Sequence, residues 1–310
     1  MREKTTQIID EVKKVIVGKD EVVRLTLQSV LAGGHVLMED VPGVGKTTMA
    51  VSFAKTMGMD YGRVQFTPDV LPSDITGFSL LDQETHTMKY QKGAVFHNLF
   101  LADELNRASS RTQSALLEAM EEGQVTVDDN TYFLPKPFVV IATQNPSGAS
   151  GTSLLPDSQM DRFMIRTSMG YPSQDSEIEM LANRQNGANP LSEISPICTL
   201  EDILQMQEET SKMYVKYRVL KYIVALMDRT RNHKMLARGG SPRASLALTA
   251  MAKAHAYMTD RDYVIPDDVQ AVFPAVMCHR MILTPEAEFK ETTAEDIAKE
   301  IIKTTQIPKE

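Results

Sequence analysis

The pattern of apolar positions predicts two amphipathic helices at the start of the chain. Apolar residues recur every three or four positions over Thr5–Ile16, which is the period of an α-helix. The turn Val17-Gly18-Lys19-Asp20 interrupts this pattern. A second helix is predicted over Glu21–Leu31, where the pair Gly33-Gly34 follows and ends it.

Short apolar runs then alternate with helical segments, as is typical of an α/β domain. The run that starts at Leu99 is apolar until it reaches two carboxylates, which fits a central parallel strand. The predicted strands are His35–Met38, Arg63–Phe66, Leu99–Glu104, Phe138–Thr143 and Met164–Thr167, and the helices between them include Met49–Lys55 and Thr112–Glu121. Two hairpins are also predicted, Phe78–Leu81 with Thr87–Tyr90 and Val125–Val127 with Thr131–Phe133. The first of them would be an insertion into the α/β core.

The second half of the chain is mostly helical. We predict a domain boundary at Tyr171-Pro172-Ser173, so that residues 1–171 form the α/β domain and residues 172–310 a smaller helical domain. The predicted helices are Gln174–Gln185, Leu200–Met213, Lys216–Asn232, Ser241–Met258, Pro266–Met277 and Thr293–Ile302.

Composition narrows the classes of protein that fit. The chain has 310 residues, enough for two domains, and 33 basic against 41 acidic residues give a net charge of −8. This acidic balance argues against a large non-specific nucleic-acid surface, which needs clustered positive charge. The two cysteines, Cys198 and Cys278, are widely spaced, so we expect buried thiols in a reduced, cytoplasmic setting. We expect neither a signal peptide nor a membrane span.

The stretch from Asp40 to Thr48 has the composition of a phosphate-binding loop. It lies between a predicted strand and a predicted helix, which is the context that such a loop needs. Glycines let backbone N–H groups surround an anion, and the start of the helix adds partial positive charge. Lys46 would reach the β- and γ-phosphates, and the Thr47 hydroxyl would ligate Mg²⁺. The predicted nucleotide contacts in this loop are Pro42, Gly43, Val44, Gly45, Lys46, Thr47 and Thr48. Asp40 stands where the usual pattern has its first glycine.

Polar side chains follow two of the buried strands. Asp103 could hold the hydration shell of Mg²⁺, and Glu104 could polarise a water for attack on the γ-phosphate. Asn145 could orient the same water. The alternatives are a solvated strand end for the two acids and a turn residue before Pro146 for the asparagine. Val17-Gly18 is equally consistent with a helix-to-helix turn and with a contact to the base.

Arg243 lies near the start of a predicted helix, where the helix dipole disfavours a cation. A bound phosphate nearby would remove that penalty, which favours a functional role. Arg162 follows Asp161, and a lone arginine of this kind is usually a surface residue in an ion pair.

Taken together, these blocks resemble the MoxR family of AAA+ ATPases over nearly the whole chain, with Asp40 matching that family's own version of the loop. The blocks that carry the resemblance are Glu39–Thr47, Gln65–Asp69, Leu71–Asp74, Gly93–Phe96, Leu101–Ala108, Gln113–Met120, Ala142–Pro146, Leu155–Phe163 and Ser241–Ala244.

The resemblance implies a P-loop AAA+ fold: an αβα core with a five-stranded parallel sheet and a hairpin insert, followed by a helical lid. It implies ATP hydrolysis with Mg²⁺, in which Lys46, Thr47, Asp103 and Glu104 act on the phosphates and the metal. It makes Asn145 the first sensor, Arg243 the second sensor from the lid, and Val17-Gly18 the segment against adenine. Arg162 is our choice for the arginine finger that reaches a neighbouring subunit, with Arg166 and Arg107 as competitors.

A finger that acts on a neighbour requires a ring, so the resemblance implies a homo-hexamer. Family members resemble chaperone-like factors that act with separate von Willebrand A-domain proteins in maturing or metallating protein complexes. A nucleic-acid-stimulated motor is the alternative that the acidic balance disfavours, and a slow nucleotide-dependent interaction switch is a third reading.

Overall fold

The computed structural model describes residues 1–145, 155–183, 185 and 189–307. Its core contains five parallel strands, as the α/β prediction requires, and their order across the sheet is Tyr61–Gln65, Leu99–Asp103, Val139–Gln144, Val36–Glu39 and Ile165–Thr167. In chain order the core elements are α1 (Arg2–Lys13), α2 (Asp20–Leu31), β1 (Val36–Glu39), α3 (Lys46–Thr56), β2 (Tyr61–Gln65), α4 (Pro72–Thr76), β3 (Gly77–Leu81), β4 (Met88–Lys92), β5 (Leu99–Asp103), α5 (Ser110–Glu122), β6 (Gln124–Val127), β7 (Asn130–Phe133), β8 (Val139–Gln144), α6 (Asp157–Met160) and β9 (Ile165–Thr167).

The central strands are apolar because both faces of the sheet are covered. In β8, Val139 and Ile141 belong to one apolar cluster, whereas Val140 and Ala142 belong to a second cluster on the opposite face. The first cluster includes residues from α1, α2 and α3, and the second includes residues from α5 and from the hairpin of β6 and β7. Strand β1 lies inside the sheet, so the loop after it opens at the carboxyl edge where α/β sheets bind ligands.

Both predicted hairpins are present. Strand β3 pairs antiparallel with β4, and β6 pairs antiparallel with β7. The rings of Tyr90 and Tyr132 stack with their centroids 3.7 Å apart, so the two hairpins pack against each other.

The chain from Gln174 onwards, which we call the lid, is mostly helical and contains two short sheets that the apolar pattern did not predict. Tyr214–Val215 pairs with Tyr263–Val264, and Leu236–Arg238 pairs with Ile282–Leu283. The lid elements are α7 (Gln174–Ala182), α8 (Leu200–Ser211), β10 (Tyr214–Val215), α9 (Tyr217–Arg231), β11 (Leu236–Arg238), α10 (Pro242–Met258), β12 (Tyr263–Val264), α11 (Pro266–Met277), β13 (Ile282–Leu283), α12 (Pro285–Phe289) and α13 (Ala294–Thr304).

Two predicted helix ends are wrong for identifiable reasons. Helix α1 ends at Lys13 rather than Ile16, because the turn that follows also buries Ile16 and so extends the apolar pattern beyond the helix. Helix α7 ends at Ala182 rather than Gln185; no residue of α7 is buried, so packing does not extend it. Arg184, within the predicted helix, and Pro146, within the predicted sensor loop, lie outside the described residues.

Both cysteines are buried free thiols, as expected from their spacing. Burial raises the pKa of Cys198 to about 11 and that of Cys278 to about 12.

Among the described residues, every helix is too short or too polar to cross a membrane.

His35, just before β1, is a buried neutral imidazole that makes stability depend on pH. Its Nδ1 accepts from the backbone N–H of Val140, and its Nε2 lies 3.0 Å from the carbonyl oxygen of Met120. Burial lowers its pKa from 6.5 to about 4. The unfolded chain therefore binds more protons between these values, so the stabilisation is complete above pH 6.5 and is lost progressively towards pH 4.

We expect this one histidine to lower the free energy of unfolding by about 3 kcal/mol between pH 6.5 and 4. Urea unfolding at a series of pH values measures the slope. His35→Gln keeps a donor and an acceptor but does not titrate. The slope of its free energy of unfolding against pH should therefore be shallower, by at most the contribution of one bound proton. Equal slopes for the two proteins would contradict the assignment.

Candidate functional site

The predicted phosphate loop joins β1 to α3. Gly43 has φ +87° and Gly45 has φ +98°, in the left-handed region that favours glycine. A Cβ on Gly43 would meet no atom within 4 Å, so the backbone angle, and not lack of space, requires glycine there. Gly45 precedes the first residue of α3 and has no side chain to cap it. The N–H groups of the first helical turn are therefore available to an anion.

Lys46 begins α3 and its side chain is buried beneath the loop. Its Nζ donates to the carbonyl oxygens of Asp40 and Val41, at 2.8 Å and 3.3 Å. Burial lowers the pKa of this ammonium group, against the attraction of Asp40, Asp103 and Glu104. A buried cation next to these acids is well placed to balance the charge of a phosphate.

Asp40 stands where the usual phosphate loop has a glycine, and its side chain stabilises another segment of the chain. The buried carboxylate accepts three hydrogen bonds from the segment after β9: from Ser168 Oγ at 2.6 Å, Met169 N at 2.6 Å and Gly170 N at 2.9 Å. The first residue of the phosphate loop thus holds the segment through which the chain leaves the core for the lid.

The two predicted acids lie at the carboxyl edge of β5. Asp103 accepts from Thr143 Oγ1 at 2.6 Å and from Arg63 Nη2 at 2.7 Å. The backbone N–H of Glu104 donates to the same Thr143 hydroxyl at 2.8 Å, and Glu104 has φ +56°. A non-glycine residue in this region of φ is uncommon and is held here by its neighbours.

The Glu104 carboxylate is kept ionised. Arg107 Nη1 donates to it at 2.7 Å, and Asn145 Nδ2 lies 3.4 Å from its other oxygen. The hydrogen bond from Arg107 lowers the pKa of Glu104, with smaller contributions from Asn145 and Gln65, against the opposing effect of burial. An ionised carboxylate beside an amide and next to the phosphate loop can orient a water and accept its proton.

The residues at this edge fit Mg²⁺ bound together with phosphates. Asp103 offers a carboxylate and Thr47, in the first turn of α3, a hydroxyl; both are hard oxygen donors. No group of three or more His, Cys, Asp or Glu residues could enclose a metal in the part of the chain that the structure describes. Mg²⁺ at phosphates needs only one or two protein carboxylates, because water and phosphate oxygens complete its shell.

A cavity of about 450 Å³ extends from the phosphate loop towards α7. Val17, Val44 and Tyr171 contribute to its walls, as do Pro42, Gly43, Gly45 and Thr48. A Cβ on Gly18 would come within 2.2 Å of Ser176 Oγ, so α7 packs closely on this turn. Val17-Gly18 is therefore a helix-to-helix turn of which Val17 also borders the cavity, so the two interpretations from sequence are compatible.

Arg162 and Arg243 lie together at the opposite edge of the sheet. Arg162 Nε is 3.3 Å from one oxygen of Glu121, and Arg243 pairs with the other oxygen. Both arginines line an open pocket of about 310 Å³ with His35, which precedes β1, whereas the phosphate loop follows β1. The length of β1 with its flanking residues separates the two edges by roughly 16 Å. Arg243 is thus beside Arg162, and not beside the phosphate loop of its own chain.

The other two candidate arginines lie elsewhere. Arg107 pairs with Glu104 at the carboxyl edge. Arg166 pairs with Glu39 at the end of β1 and with Glu295 of the lid, each at 3.3 Å.

Several residues that shape the site were missed in the sequence. Thr143 bonds both Asp103 and Glu104, yet in the sequence it is only a β-branched residue near the end of an apolar strand. Glu121 was seen only as the end of a helix. Its pairing with two arginines, 41 and 122 residues away, has no local signal.

Comparisons with known proteins cover both halves of the chain. Residues 35–165 match the ATPase family associated with various cellular activities (AAA), and residues 228–301 match the AAA lid domain. An uncharacterized protein of Bacillus subtilis, YeaC, is 46% identical over 97% of this chain and 93% of its own. Chaperone MoxR1 of Mycobacterium tuberculosis is 40% identical over 97% of this chain and 81% of its own. The crystal structure of a candidate ATPase of Cytophaga hutchinsonii superimposes with a TM-score of 0.92 at 39% identity, covering 99% of this chain and 96% of that one.

Proposed function

This chain belongs to the MoxR family of AAA+ ATPases, and from that membership we propose that it couples hydrolysis of Mg-ATP to chaperone-like remodelling or maturation of partner protein complexes. The observation that carries the hydrolysis is the position of Glu104, an ionised carboxylate at the carboxyl edge of β5 beside the phosphate loop. The name of the mycobacterial relative supports the chaperone-like part of the proposal.

In the proposed reaction Glu104 accepts a proton from the water that attacks the γ-phosphate, and Asn145 orients that water. Lys46 and the free N–H groups at the start of α3 hold the phosphates. Mg²⁺, held by Thr47 and hydrated beside Asp103, supplies charge neutralisation when it is bound. The turn Val17-Gly18 lies against the base of ATP or ADP.

We propose that Arg162 and Arg243 complete the site of a neighbouring subunit. A head-to-tail ring joins two different faces of each subunit, so cations that serve a neighbour must lie away from the phosphate loop of their own chain. The placement of both arginines at the opposite edge of the sheet supports this arrangement. A homo-hexameric ring is the assembly that we propose.

The remaining parts of the proposal follow from family membership. The core, residues 1–171, would bind nucleotide, and the lid, residues 172–310, would move relative to a neighbouring core during the cycle. The partner would be a separate von Willebrand A-domain protein in the cytoplasm. The client, which is the protein complex that is remodelled, would be recruited by this partner.

ATP turnover per subunit, measured with Mg²⁺ across a range of protein concentrations, tests the shared site. We expect turnover to rise as the chain assembles, in step with the oligomer fraction found by analytical ultracentrifugation. ATP binding should show no such dependence, because the phosphate loop is complete within one chain. Turnover that is constant from monomer to oligomer would refute the shared site and leave a monomeric nucleotide switch.

A further inference from the structure

Arg280, in the lid just after α11, is a buried arginine whose guanidinium donates hydrogen bonds to the loop Asp161–Met164, which carries Arg162. Its Nε donates to Asp161 Oδ1 at 2.7 Å. Its two terminal nitrogens donate to the carbonyl oxygens of Asp161 at 3.0 Å, Phe163 at 2.6 Å and Met164 at 3.2 Å. One of them also donates to the carbonyl oxygen of Val276. All three nitrogens are thus engaged, and three of the four residues that they bond belong to this loop.

A second lid residue holds the same loop. Ser241 Oγ donates to the other carboxylate oxygen of Asp161 at 3.1 Å. Ser241 is also the cap of α10, accepting from the N–H of Ala244 at 3.2 Å, and stands two residues before Arg243. Asp161 therefore joins the loop that carries Arg162 to the helix start that carries Arg243.

The buried contacts, and not the shared carboxylate of Glu121, are the ones that can set the positions of the two arginines. The ion pairs of Glu121 are partly exposed, and such pairs typically contribute only about 0–1 kcal/mol. The side chain of Arg280 is 3% exposed, and its charge would be unpaired if the loop moved away. Separating a buried, hydrogen-bonded charge from its partners is much more costly.

We propose that Arg280 is a positioning residue for ATP hydrolysis, which holds Arg162 and Arg243 as a pair facing the neighbouring subunit's phosphates. This inference rests on the proposed shared site. Arginine is needed because a planar guanidinium has five N–H donors in a fixed arrangement, whereas lysine has three on a flexible stem. Arg162 and Arg243 then face the neighbouring site together, because the hydrogen bonds of Arg280 hold the loop and the lid as one rigid unit.

The test compares Arg280→Lys with wild type for kcat, KM, assembly and ATP binding. We expect kcat to fall about tenfold or more, with KM, oligomer size and ATP binding unchanged. The same substitution in an Arg162→Ala background should add little, because Arg280 acts through Arg162. Asp161→Asn, at a residue that is 25% exposed, is the second variant and should behave in the same way if Arg280→Lys fails to fold.

Arg261→Lys is the matched control. Arg261 pairs with the buried Asp268 within the lid and, among the described residues, makes no hydrogen bond or ion pair to Asp161–Met164, so this variant should lose stability but keep kcat. A wild-type rate for folded Arg280→Lys or Asp161→Asn, with Arg162→Ala inactive, would overturn the positioning role alone. An equal fold-loss of kcat from Arg280→Lys in the wild-type and Arg162→Ala backgrounds would also overturn the positioning role. A wild-type rate for Arg162→Ala would instead refute the shared site itself.

Discussion

Glu104→Gln is expected to lower ATP turnover by about 10²–10⁴-fold and to leave ATP binding intact. Glutamine keeps the shape of the side chain and a carbonyl acceptor for Asn145, but it cannot take a proton from the attacking water. The residue lies at the carboxyl edge of β5 with Arg107 and Asn145 bonded to its two oxygens. Single-turnover hydrolysis and equilibrium binding of ATP, measured on the same preparation, separate the chemical step from binding.

Glu118→Gln is the matched control, since it removes the same charge from the exposed face of α5. Its turnover should equal that of the wild type. The assignment of the general base fails if Glu104→Gln hydrolyses ATP at the wild-type rate in single turnover. The low pKa of Glu104 also predicts that the rate does not fall near neutral pH through protonation of this carboxylate.

Arg162→Ala is expected to reduce turnover by about 10³-fold or more, the scale of an arginine finger, without weakening ATP binding to the phosphate loop of the same chain. The reason is geometric, because Arg162 lines a pocket with His35 at the other end of β1, and that strand with its flanking residues spans roughly 16 Å. Turnover at protein concentrations that favour the assembled state provides the measurement. Arg166→Ala, at the competing arginine, serves as the comparison and should retain most activity.

Mixing two inactive variants shows in which subunit Arg162 acts. An Arg162→Ala subunit has an intact phosphate loop and Glu104, and a Glu104→Gln neighbour can supply the missing arginine. The mixture should therefore regain a fraction of wild-type turnover that neither variant has alone. If mixing restores nothing although mixed oligomers form, Arg162 is not acting on a neighbour. If Arg166→Ala is the inactive variant, the finger is Arg166.

The sheet could be predicted because burial leaves a local signature in the sequence. Strand β8 is apolar at consecutive positions, since Val139 and Val140 face two different clusters, and the polar Asn145 follows where the strand ends. The phosphate loop, the acids after β5 and the amide after β8 all come directly after strands. Parallel strands then bring their carboxyl ends to one edge without further information.

The opposite edge could not be predicted, because its contacts join distant parts of the chain. Arg162, Glu121 and Arg243 meet only after the lid has folded back on the core. Nor could the two-residue strands of the lid, such as Tyr214–Val215, be separated from turns, since so short a segment has no period to detect. A family resemblance named the two arginines, but only the coordinates place them side by side and away from their own phosphate loop.

The aspartate at the start of the phosphate loop has a mechanical consequence. A glycine at position 40 could still turn the backbone, but the loop would then be free to shift alone. With Asp40, such a shift would break three hydrogen bonds to a buried carboxylate, each of which contributes about 1.5–3 kcal/mol. The phosphate loop and this segment are therefore mechanically coupled: a displacement of the loop where phosphate binds is transmitted to Ser168–Gly170, through which the chain leaves the core for the lid.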